Sequence, residues 1–257
     1  MPEEVQLRVH GDASLPTLVY LPGIHGDWTL IGSFLQALNG RVRFVEMTYP
    51  RTTRWSLYDY ADAIETALSG VGITHGWLLG ESFGSQPLWA MIRRGKFNAD
   101  GIILAGGFVK YPIRRMILRA EYITQRLSNR VFIWIIFSYA KIARFRYRHS
   151  PEVLARLNEF IARRTEPDRR AAQHRLHLIA ENDPAEIAAN TSVPVYALSG
   201  FLDPIVPWLL TRRWLRKNCR SLRDFKVIGG DHNVLGTAPR AAARQVMAWM
   251  GVSLDIS

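Results

Sequence analysis

Six stretches of the chain read as strands, most of them continuous apolar runs that end in Gly or Pro. They are TLVYLP from Thr17, VRFVEMTY from Val42, GWLLG from Gly76, GIILAGG from Gly101, PVYALSG from Pro194 and DFKVIGG from Asp224. Strands buried on both faces read this way, whereas a strand with one wet face alternates apolar and polar positions. Helical spacing fills the intervals at Ile31–Leu38, Leu57–Leu68, Ser85–Arg94, Trp208–Lys217 and Pro239–Met250, with Ser56 available as N-cap of the second. Strand alternating with helix predicts an α/β domain with a mostly parallel central sheet and helices on both faces.

One interval breaks the alternation. From Tyr111 to Ala180 no strand pattern occurs, and the spacing is helical and rich in Arg. SPEVLARLNEFIARR opens with Ser150 as N-cap, Pro151 in the first turn and Glu152 close behind, and EPDRRAAQHRLHLIAEN reads as a further helix. Seventy residues are too many for a simple crossover. The expected organisation is a core domain of residues 1–110 and 181–257 with a helical cap, 111–180, inserted between its strands. No repeat or low-complexity linker interrupts this scheme.

Composition narrows the class without naming a function. At 257 residues, 48% of them apolar, the chain suits one large globular domain or two small ones. The opening MPEEVQLRVHG carries acids where a secretory signal carries positive charge. The longest apolar stretch, VFIWIIFSYA, has ten residues, against about twenty for a membrane-spanning helix. A cytoplasmic protein is therefore expected. The single Cys219 excludes an intrachain disulfide and, with no His near it in sequence, reads as a structural or surface thiol.

Charge changes the picture more. The net charge of +11 is carried entirely between Lys110 and Ala180, where 16 Lys/Arg face 5 Asp/Glu; the rest of the chain holds 17 of each sign. The basicity belongs to the inserted segment.

Candidate chemistry begins at WLLGESFGSQPLW, where a serine between two glycines follows an apolar strand and precedes a helix. A serine on so sharp a turn is held in a strained conformation, and any Cβ two positions away would strike neighbouring backbone; Gly80 and Gly84 meet that need. The turn lifts the Ser82 hydroxyl above the sheet beside a helix N-terminus. Serine is a weak nucleophile, so it needs a base, and the base needs an orienting acid. GFLDPIVP puts Asp203 just beyond one strand and GGDHNVLG puts His232 just beyond the next. The order Ser, Asp, His and the position of each at a strand's carboxyl end suit an acyl-transfer site. Asp231, adjacent to His232, is the lesser candidate for the acid. For the oxyanion, Phe83 supplies one backbone N–H, and the loop LPGIHGD supplies the other. Ile24 is favoured there over His25, which is also a candidate substrate contact.

On LPGIHGD, GESFGS, GFLDPIVP and GGDHNVLG, in that order, the sequence resembles the α/β-hydrolase fold superfamily over nearly its whole length. The resemblance implies a serine hydrolase with Ser82, His232 and Asp203 as triad, a helical cap, and no metal or cofactor. Serine at the elbow argues against the haloalkane dehalogenase branch, where aspartate occupies it. Pro22–Gly23 departs from the commoner His-Gly form of the early loop. The expected substrate is a small carboxylic ester or thioester; the alternative is a non-hydrolytic acyltransferase or ligand-binding protein of the same fold. Taken as one helix, Arg130–Arg148 sets Trp134, Phe137, Lys141, Arg144 and Arg148 near one stripe. A solvated basic face reads the same way; the functional reading is contact with an anionic lipid surface or an anionic acyl substrate. No motif points to nucleic acid.

Overall fold

The structure is a computed structural model that describes residues 4–126, 154–155, 158–159 and 165–253. Seven strands form one sheet: β1 (Gln6–His10), β2 (Thr17–Leu21), β3 (Arg43–Thr48), β4 (His75–Glu81), β5 (Asn98–Ala105), β6 (Val195–Gly200) and β7 (Leu222–Ile228). Their order across the sheet is β1-β3-β2-β4-β5-β6-β7, and every pairing is parallel except that of β1 with β3. All six expected strands are present. The seventh, antiparallel β1, is an edge strand with three of its five residues exposed and none buried, which is why it lacks an apolar run.

The pleat explains how continuous apolar runs serve two faces. In β2, Val19 and Leu21 enter one core while Leu18 and Tyr20 enter the other; in β5, Ile102 and Leu104 are divided in the same way from Ile103 and Ala105. The first core is closed by α2 (Leu57–Gly70), with Tyr60, Ile64 and Leu68, and by α3 (Ser85–Arg94), with Leu88, Trp89 and Met91. The second is closed by α1 (Gly32–Leu38), with Phe34 and Leu38. Full burial of each such side chain contributes about 1.5–3 kcal/mol. Ser56 caps α2 as its position indicated, in a reciprocal box with Asp59.

Two helices of the inserted segment are described, α4 (Arg114–Arg126) and α5 (Glu166–Glu181), followed by the short α6 (Ala185–Asn190). Residues 154–155 and 158–159 are also helical. Helices α4 and α5 pack against one another and extend the first core through Ile117, Leu176 and Ile179. Lys110 pairs with Asp183 at 2.8 Å where the segment leaves and rejoins the sheet. The Trp134, Phe137, Lys141, Arg144 and Arg148 stripe, and the Ser150 cap, lie outside the described residues. The chain closes with α7 (Trp208–Asn218), α8 (Val234–Thr237) and α9 (Pro239–Trp249). Cys219 is buried at the end of α7, and burial pushes its thiol pKa up, so it is a structural thiol. No described helix is long and apolar enough to cross a membrane.

Strand order fixes where a site belongs. After β2 the chain steps to one side to make β3, then crosses back to the other side of β2 to make β4. The loops leaving the carboxyl ends of β2 and β4 therefore diverge and leave a crevice at this switch point. The β2 loop is LPGIHGD and the β4 loop is GESFGS.

Candidate active site

Ser82 follows β4 directly and has φ +50°, the left-handed region that a residue bearing a side chain rarely adopts. A 3₁₀ turn, Ser82–Gly84, then leads into α3. The glycines are sterically required. A Cβ on Gly84 would stand 2.1 Å from the Leu21 carbonyl oxygen, and one on Gly80 would stand 2.9 Å from the Ser85 nitrogen. The Ser85 hydroxyl donates to the Ser82 carbonyl at 2.6 Å and braces the turn from below.

Three side chains distant in sequence meet at this point. The Ser82 hydroxyl lies 2.8 Å from His232 Nε2, and His232 Nδ1 lies 2.8 Å from Asp203 Oδ2. With Nδ1 donating to the carboxylate, Nε2 is left as an acceptor for the serine proton. The other Asp203 oxygen accepts from the Ile205 and Val206 N–H groups at 2.8 and 2.9 Å, so its carboxylate is aimed by its own loop. The Asp203 side chain is wholly buried and that of His232 only 15% exposed. Asp231 plays a different part. One of its oxygens accepts from the Asn233 N–H and the Thr237 hydroxyl, bracing the turn after β7.

The early loop lies against Ser82, since a Cβ on Gly23 would sit 3.5 Å from Ser82 Cβ. Gly26 N–H donates to the Gly23 carbonyl at 2.9 Å and closes a tight turn over Ile24 and His25. Because a trans peptide points its N–H and C=O in opposite directions, the Ile24 N–H is turned away from that bond. Phe83 N–H is in the first turn of its 3₁₀ segment, where a helix leaves its donors unpaired. Ile24 is half-buried and His25 is exposed on the same turn.

Four contributors had no role assigned from the sequence. Glu81, beside the serine, is 7% exposed, and Tyr20 donates to its Oε2 at 2.5 Å. Its Oε1 has no hydrogen-bond partner among the described residues. Burial raises the Glu81 pKa, against the lowering effects of the Tyr20 hydrogen bond and of His232. Tyr111, where the inserted segment begins, donates to the Ile205 carbonyl at 2.5 Å and so holds the loop that carries Asp203. Burial, helped by the nearby Asp203 charge, pushes its phenol up to about 12, which keeps it a donor. The fourth, Arg175 of α5, donates to the Ile24 carbonyl at 2.9 Å. Its sequence signal was available: it shares the buried face of α5 with Ala171 and Ile179.

No family model matches the sequence, and no curated protein matches it. Solved structures do. A thermophilic esterase from Thermogutta terrifontis superposes with a TM-score of 0.77 at 18% identity, covering 96% of this chain and 93% of its own. An enol-lactonase from Burkholderia xenovorans superposes at 0.78 with 14% identity, covering 96% of both chains. An alpha/beta hydrolase from a Medee basin deep-sea metagenome library superposes at 0.76 with 12% identity, covering 98% of this chain and 96% of its own. At these identities the likeness speaks for fold alone, and the fold is that of the α/β hydrolases.

Proposed function

We propose that this chain, with its α/β-hydrolase fold, is a serine hydrolase of small carboxylic esters. One observation carries the reading: the unbroken line from Ser82 through His232 to Asp203, at 2.8 Å for each step, in the crevice at the sheet's switch point. In this reading His232 Nε2 takes the Ser82 proton as the hydroxyl oxygen attacks the ester carbonyl. The imidazolium so formed is held by Asp203, and the negative charge on the former carbonyl oxygen is met by the Ile24 and Phe83 N–H groups. The tetrahedral species collapses to an acyl-enzyme as His232 gives its proton to the departing alkoxide. Water then repeats the sequence with His232 again as base, releasing the acid and free Ser82.

Residues 111–180 form the cap in this reading, and its basic character suits an anionic acyl group or an anionic lipid surface. The structural neighbours include an esterase and two lactonases, so cyclic esters belong in the substrate search beside linear esters and thioesters. His25, exposed on the early loop, is the proposed substrate contact. The test is labelling by a fluorophosphonate probe, which needs an activated serine, followed by a screen of p-nitrophenyl esters of graded chain length and of lactones. Stoichiometric labelling that is abolished in Ser82→Ala, together with turnover of at least one ester class, is the expected result. A folded wild-type protein that is neither labelled nor active overturns the reading.

A further inference from the structure

Arg175 is 1% exposed, yet its guanidinium makes no ion pair among the described residues. Its three donor nitrogens reach three neutral oxygens instead. Nε donates to the Tyr60 hydroxyl at 3.2 Å, Nη1 to the Ile24 carbonyl at 2.9 Å and Nη2 to the Pro50 carbonyl at 3.0 Å. The guanidinium carbon lies 5.5 Å from the Tyr49 ring centre and 6.0 Å from that of Tyr60. Space is reserved for it: a Cβ on Gly26, at φ +77°, would stand 2.3 Å from Nη1. A buried cation without a counter-charge is costly, and an apolar side chain would fill this volume at less cost.

Two facts suggest what the cost secures. The Gly23 carbonyl is fixed by Gly26 N–H, and the Ile24 carbonyl by Arg175, so the two peptide planes on either side of Ile24 are both immobilised. The positive charge also sits, with no ion-pair partner among the described residues, on the loop that faces Ser82. We propose that Arg175 is a positioning residue for ester hydrolysis: from the helix that ends the inserted segment, it fixes the peptide that follows Ile24, so that the Ile24 N–H, held on its own side by Gly26, cannot swing, and it adds positive potential where the oxyanion forms. This rests on the serine-hydrolase reading above. A group acting in this way stabilises the transition state and leaves substrate binding unchanged.

The experiment compares Arg175→Gln and Arg175→Lys with wild type, each normalised by fluorophosphonate titration of intact active sites. It reads kcat and KM for a p-nitrophenyl ester, and inhibition by an alkylboronic acid that forms a tetrahedral adduct on serine. Arg175→Gln is expected to lower kcat about 100-fold, the scale of losing one oxyanion donor, with KM nearly unchanged and boronate affinity reduced by the same factor as kcat/KM. Arg175→Lys keeps the charge but not the three-way fork, and should recover part of the loss. Folded variants that melt lower but keep kcat and boronate affinity overturn the proposal. If Arg175→Gln gives no folded protein, Tyr60→Phe carries the same test by removing the oxygen that accepts from Arg175 Nε while leaving the Gly23–Gly26 turn intact. An inactive, unlabelled wild type overturns the hydrolase reading itself, whereas an active wild type with unaffected variants overturns only the role of Arg175.

Discussion

The loops at the carboxyl ends of the sheet and the segment inserted between β5 and β6 hold the candidate site in different ways. The loops hold their residues locally: Ser82 by its own strained turn, Asp203 by two N–H groups two and three residues further on, His232 by the turn that Asp231 braces. The segment acts across long stretches of chain. Tyr111 reaches Ile205, and Arg175 reaches Ile24, Pro50 and Tyr60. The loops supply the candidate reacting groups, and the segment tethers the loops from both of its ends. The position of this segment and the geometry of the early loop therefore share one side chain, Arg175.

The sharpest break between the two regions is made by removing the reacting groups. Ser82→Ala and His232→Ala should each fold and lose ester hydrolysis by a factor on the order of 10⁶, the scale of a triad acting as a unit. Melting temperatures should stay near wild type, which separates lost chemistry from lost structure. Either variant keeping a percent of the wild-type rate sinks the assignment. The acid comes next. Asp203→Asn leaves the side chain's shape but favours the wrong imidazole tautomer, for which about 10⁴-fold in kcat is the known scale. Asp231→Asn should lower stability through its turn while costing far less in rate. If the two aspartates behave in the opposite order, the acid is Asp231.

The contrast between regions is also a contrast in legibility. The elbow was readable because its constraint is local and steric: backbone passing 2.1 Å from where a Gly84 Cβ would lie admits one residue type, whatever the rest of the fold does. Asp203 was readable as a candidate because it follows the apolar run of β6, and His232 because it follows the two glycines that come after β7, an edge strand that mixes charged with apolar residues. Tethers leave no such mark. Arg175 and Ile24 are 151 residues apart, and nothing in either neighbourhood specifies the other. The misplaced charge on the apolar face of α5 signalled a buried cation but not its partners. β1 was missed for a third reason: QLRVH does alternate, but five residues at a sheet edge bury too little to stand out from a loop.

Tyr111→Phe sharpens the comparison from the segment's other end. It removes one O–H donor and leaves the Ile205 carbonyl without it, with little change in volume. A loss of about 1 kcal/mol in stability is expected. If the tether also keeps Asp203 aimed, kcat should fall by up to about fivefold, the rate equivalent of that energy. Thermal melts and kcat on the same preparation decide between the two. A stability loss with unchanged kcat means that the acid's loop aims itself through its two N–H groups alone.

The smallest effect concerns Glu81, which ends β4 beside Ser82 and is buried like a core residue. Its pKa is raised, chiefly by burial, so the folded protein holds this proton more tightly than the unfolded chain does. Stability from that difference is fully present below the unfolded glutamate pKa and is lost as pH rises toward the folded value. Above it, the folded state carries a buried carboxylate that has Tyr20 on one oxygen and no described partner on the other. Glu81→Gln removes the titration while keeping an oxygen for Tyr20 to donate to. The unpaired amide of the variant adds a cost that does not depend on pH. The melting temperature of Glu81→Gln relative to wild type should therefore climb between pH 4 and pH 8, by a few degrees at most for a domain of this size. A difference that stays flat over that range means that Glu81 holds its proton no more tightly in the folded protein than in the unfolded chain, so that over most of the range the Tyr20 contact is a hydrogen bond to a carboxylate. The pair would then add a negative charge near His232, and Glu81→Gln should alter the pH profile of kcat instead of the pH dependence of stability.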